Sequence, residues 1–68
     1  MNVLLPQVKV RLTEKDGNTF AVLGRVRKAM LDAGIGPEEM AAFTREAMSR
    51  DFNHLLVTVL RTVTVVRD

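Results

Sequence analysis

The stretch "QVKVRLTEKDGNTFAVLGRVRKAM", Gln7 to Met30, changes its hydrophobic period midway, and that change decides the fold. From Gln7 to Thr13 the residues alternate. Val8, Val10 and Leu12 fall on one face, and Lys9, Arg11 and Thr13 on the other, which is the signature of a half-buried strand. Asp16-Gly17-Asn18 predicts a turn, because glycine tolerates positive φ and Asp or Asn side chains bond nearby backbone. From Thr19 to Ala33 the period becomes helical. Val22, Leu23, Val26, Ala29, Met30 and Ala33 share a stripe, opposite Arg25, Lys28 and Asp32, and Asn18 is placed to cap the helix.

Phe20 and Leu31 lie on a flank of that helix, on either side of Gly24. Two readings stay open. The flank widens the core face, or it meets another subunit, with the small Gly24 allowing close approach.

Downstream, Gly34 suits the left-handed residue that closes a helix, and Pro37 suits the first position of the next. Glu38 and Glu39 complement the positive end of that second helix, which the pattern extends from Pro37 to Arg50. Met40, Phe43, Thr44, Ala47 and Met48 form its apolar face. The short link predicts an αα-hairpin. The remainder, "DFNHLLVTVLRTVTVVRD", reads as a third helix over Phe52–Arg61 followed by a strand over Thr62–Val66. One long strand from Leu55 is the competing reading.

These elements predict a single small α+β domain over residues 1–68, ordered β-α-α-α-β, with 1–6 as an extended tail. Val8, Val10 and Leu12 would join Val63 and Val65 on one sheet face over the helices, with Lys9 and Arg11 turned to water beside Thr62 and Thr64. A chain of 68 residues buries only about 60% of its unfolded surface, and with no cysteine it has no disulfide to reinforce it. Open sheet edges and the apolar Val3-Leu4-Leu5 therefore lead us to expect a homodimer.

Composition also bounds function. No apolar stretch is long enough to span a bilayer, and the start of the chain lacks the pattern of a signal peptide, so a cytoplasmic location without a membrane partner is expected. The chain has one serine, Ser49, one histidine, His54, and no cysteine or tyrosine. Ser49 has no nucleophile-elbow context, and His54 has no partner ligands at metal spacing and reads as a hydrogen-bonded residue beside a helix cap. "GIG" lacks the preceding strand and the lysine of a phosphate loop. Neither an enzyme nor a cofactor is expected.

The net charge of +2 permits a nucleic-acid partner without demanding one. The strand-helix-turn-helix order parallels ribbon-helix-helix proteins, which read DNA from an outward strand face. Lys9 and Arg11, with Arg25 and Lys28 on the helix, would be the contacts. Against this stand the long strand-to-helix connection and an extra C-terminal segment with no role in that architecture. The three phenylalanines, all placed on apolar faces, offer no stacking platform.

"DGNTFAVLGRVRKAM" and "FTREAMSRDFNHLL" carry a Gly-Asn-x-Phe opening, a Leu-Gly one turn on, and an Asp-aromatic-x-x-Leu-Leu step. In these the chain resembles a group of small uncharacterised proteins encoded by bacteria, bacteriophages and mobile elements. The resemblance spans roughly residues 8–65 and departs from the group where the last helix ends "LRTVTVV". It implies a phage or mobile-element accessory protein and transfers no functional residue. The expectation is thus a non-enzymatic module acting through an unidentified protein partner, with Phe20, Gly24 and Leu31 as its interface.

Overall fold

A computed structural model describes residues 3–13 and 17–66. Within them run β1 (Leu5–Arg11), α1 (Thr19–Asp32), α2 (Pro37–Ala47), α3 (Phe52–Thr62) and β2 (Val63–Val66). The α+β order read from the sequence is the observed one, and the ambiguous C-terminal segment is a helix that passes directly into a strand. Asp16, the first residue of the expected turn, lies outside the described residues.

The two strands pair in parallel. Parallel neighbours cannot be joined by a hairpin and need a long crossover, a task performed here by all three helices. The register is irregular. Leu5 opposes Val63, yet Lys9 opposes Thr64, so β1 advances four residues while β2 advances one. Pro6 sits in this irregular stretch, where its missing N–H costs the ladder nothing. Its carbonyl accepts a hydrogen bond from Thr64 Oγ1 at 2.9 Å. Leu5, expected in an extended tail, is part of the strand and packs against the core. Thr62, expected to face outward from the second strand, instead ends α3 and is buried.

Each helix boundary has a local chemical cause. Asn18 Oδ1 accepts from the Ala21 amide at 2.8 Å, and Asp51 Oδ1 from the His54 amide at 2.9 Å, which satisfies first-turn amides that have no helical partner. At the end of α1 the Gly34 amide donates to the Leu31 carbonyl (3.0 Å) and the Ile35 amide to the Met30 carbonyl (2.9 Å). This paired arrangement needs a left-handed residue at Gly34, whose φ is +78°. Gly34→Ala should therefore cost about 1 kcal/mol, seen as a lower urea midpoint at unchanged slope. An unchanged midpoint would contradict this account of the turn.

α2 stops at Ala47, three residues before the Arg50 that periodicity indicates. The Ser49 amide and hydroxyl both turn back to the Glu46 carbonyl, at 3.2 and 2.7 Å, and close the helix. Met48, expected on the core face, is exposed as a result.

The core gathers Val8 and Val10 of β1, Val22, Leu23, Val26 and Met30 of α1, Met40, Phe43 and Ala47 of α2, Leu55 and Val59 of α3, and Val63 of β2. Two threonines join it. Thr58 Oγ1 donates to the His54 carbonyl at 2.8 Å and Thr62 Oγ1 to the Thr58 carbonyl at 2.7 Å, so both are buried without an unmet hydroxyl.

Candidate protein interface

Strands in a sheet lie about 4.8 Å apart, and a helix with its side chains is about 10 Å across. Two strands therefore cannot cover the flanks of α1. Phe20 remains 78% exposed and Leu31 64% exposed. Spacings of four and seven residues put Phe20, Gly24 and Leu31 in one line along the helix, with Arg27 between the last two. Among the described residues nothing beyond the adjoining helix backbone approaches Gly24: a Cβ built there would meet no other atom within 4 Å. The flank is thus outside the core, and the close approach that Gly24 permits is not used among the described residues. Phe20, placed on an apolar face by the sequence pattern, is presented to solvent.

At its Leu31 end this line opens into a groove of about 590 Å³ between α1 and α2, walled by Pro37, Met40 and Ala41 and flanked by Arg27 and Arg45. Among the described residues neither arginine is paired with a carboxylate.

A second apolar groove, of about 460 Å³, lies on the other side of α2. Leu4, Leu5, Ala42 and Phe43 line it, with Thr58 and Thr62 from α3 and the buried Met30 beneath. Exposed Glu39 and Glu46 edge it. Leu4 is 76% exposed at its border, held there by a 3.0 Å hydrogen bond from its amide to the Arg61 carbonyl. Sequence reasoning missed this groove. Its signal was Glu39, Ala42 and Glu46 at spacings of three and four, one face of a helix on which Glu39 was read only for its effect on the dipole.

Glu46 also links α2 to α3. His54 Nε2 donates to its Oε2 at 2.7 Å, and Ser49 Oγ lies 3.2 Å from the same oxygen. The His54 hydrogen bond first, then that of Ser49, holds the Glu46 carboxyl below its ordinary range. The order serine–carboxylate–histidine is the wrong one for nucleophilic catalysis, in which the histidine must touch the hydroxyl. Ser49 and His54 make no hydrogen bond to each other. Among the described residues no three His, Asp or Glu side chains converge as metal ligands do.

The sequence pattern places Lys9 and Arg11 in open solvent. In the fold they line a shallow cleft of about 150 Å³ with Arg25 and Lys28, because β1 lies along α1. Asp32 shares the cleft, 3.8 Å from the Lys28 ammonium. The four cations named from the sequence therefore come together in one place.

No described helix is long and apolar enough to cross a membrane. No protein-family model, no curated protein and no solved structure matches this chain.

Proposed function

We propose that this protein is a non-enzymatic interaction module whose binding surface is the exposed line Phe20–Gly24–Leu31 and the arginine-flanked groove that continues it. The carrying observation is the exposure of two large apolar side chains in register on one helix, continued by a groove whose two cations have no carboxylate partner among the described residues. Contiguous apolar surface edged by charge is how interfaces are built, with an aromatic or aliphatic anchor at the centre and a polar rim. The arginines select the partner's chemistry: an apolar surface bordered by carboxylates. The resemblance to small phage and mobile-element proteins supports an accessory role in the cytoplasm.

A second reading is favoured by the cleft of Lys9, Arg11, Arg25 and Lys28, whose chemistry suits nucleic-acid phosphates. β1 is paired within the chain to a parallel β2, whereas a ribbon-helix-helix protein pairs this strand with that of a second copy. This reading is therefore one of backbone contact more than base recognition.

One experiment separates the two: capture from a host lysate with wild type, with Phe20→Asp/Leu31→Asp, and with Lys9→Ala/Arg11→Ala, each with and without nuclease. The interaction reading expects captured protein that survives nuclease and is lost only with the Phe20/Leu31 variant. Capture that disappears with nuclease and with the Lys9/Arg11 variant overturns it in favour of nucleic acid.

A further inference from the structure

We propose that the partner of the α1 line is a second copy of this chain, docking in the carboxylate-edged groove formed by the N-terminal segment, α2 and α3. This rests on the reading of Phe20 and Leu31 as a protein-binding surface and names its occupant.

The argument is one of complementarity between two surfaces of the same molecule. One presents exposed apolar side chains, Phe20 and Leu31, with Arg27 and Arg45 flanking the groove at the Leu31 end. The other is an apolar recess with Glu39 and Glu46 at its edge. Two exposed apolar anchors meet an apolar recess, and two cations meet two anions. The recess, at about 460 Å³, falls in the range of about 300–1,000 Å³ that binding pockets occupy. Its open face is apolar around the exposed Leu4, so a dry contact gains from both sides.

The two surfaces occupy opposite sides of α2. Ala41 and Arg45 face one groove, and Glu39, Ala42 and Glu46 face the other. A copy whose α1 line is seated in a neighbour's recess still offers its own recess to a third copy. The contact is heterologous and does not saturate at two, so it builds rings or open chains, in contrast to a two-fold dimer in which the same patch meets itself.

The test is sedimentation velocity with light scattering from about 10 µM to 1 mM, the range in which weak self-association is read. Wild type should grow past dimer mass with concentration, and less so in high salt. Two variants block one surface each: Phe20→Asp/Leu31→Asp the exposed α1 line, Ala42→Glu the recess. All three positions are exposed, and urea midpoints close to wild type confirm that each variant is folded. Each variant alone should remain monomeric. An equimolar mixture of the two should form a dimer and stop there, because one copy supplies the only intact recess and the other the only intact line.

Wild type that stays monomeric to about 1 mM overturns the proposal. So does a mixture that stays monomeric while wild type associates, which marks a contact of like patches. So does association of Ala42→Glu that equals wild type. Should wild type be monomeric while lysate capture still depends on Phe20 and Leu31, the binding surface stands and only its occupant is wrong.

Discussion

Met30→Ala is expected to lower stability by about 2–5 kcal/mol, the range for truncating a large buried aliphatic side chain. Met30 is 0% exposed and sits where α1 faces the other elements of the core. The size of this loss matters because the total is small. At about 0.05–0.15 kcal/mol per residue, 68 residues hold roughly 3–10 kcal/mol. The substitution therefore removes a large fraction of what there is. Chemical denaturation at fixed protein concentration would show the midpoint shifted strongly downward, or a chain unfolded before denaturant is added. The same change at Met48, which is half exposed, should lower stability by less than about 0.5 kcal/mol and leave the midpoint nearly unmoved. If the two methionines proved equivalent, the assignment of the core would be wrong.

Stopping the chain after Thr62 should have a still larger effect. It removes residues 63–68, six residues that include β2, yet that strand carries Val63, which is 0% exposed, and is β1's only pairing partner among the described residues. Loss of a buried valine forfeits about 1.5–3 kcal/mol. Beyond that, the amides and carbonyls of β1 that bond β2 lose their partners, and Val8 and Val10 lose the strand beside them. Against a total of roughly 3–10 kcal/mol this should abolish cooperative unfolding. Circular dichroism should keep some helical signal from segments with strong caps but show no sigmoidal transition. A truncated chain that unfolds cooperatively near the full-length midpoint would show that the helices form a domain without the sheet.

What could be read in the sequence follows the range of the forces involved. The cap at Asn18, the stop at Gly34 and the start at Pro37 were legible, because each acts within a few residues of itself. The end of α2 was misjudged by periodicity alone: apolar spacing continues to Met48, while Ser49 turns back to Glu46. Thr58 and Thr62 look polar in a helical pattern. They are buried because a threonine in a helix can bond the carbonyl one turn behind it and present its methyl group inward. Parallel pairing of the strands could not be read, since it depends on the path of the entire helical crossover. The flank of Phe20 and Leu31 was visible, but whether it faced core or solvent turned on how far a two-stranded sheet reaches. The carboxylate-edged recess left a local trace only on α2, in Glu39, Ala42 and Glu46; its other walls come from residues distant in sequence, which no local pattern places beside them.

The bond from Thr64 to the Pro6 carbonyl joins residues 58 positions apart. A ribosome adding about 5–20 residues per second makes that separation in roughly 3–12 s. Throughout that interval β1 has been synthesised and its complement has not, so its valines wait among the helices as they emerge. Completion of the native state must follow translation of β2 and cannot accompany it. For a nascent chain with Val8 and Val10 uncovered, these seconds are the window in which a chaperone has something to hold.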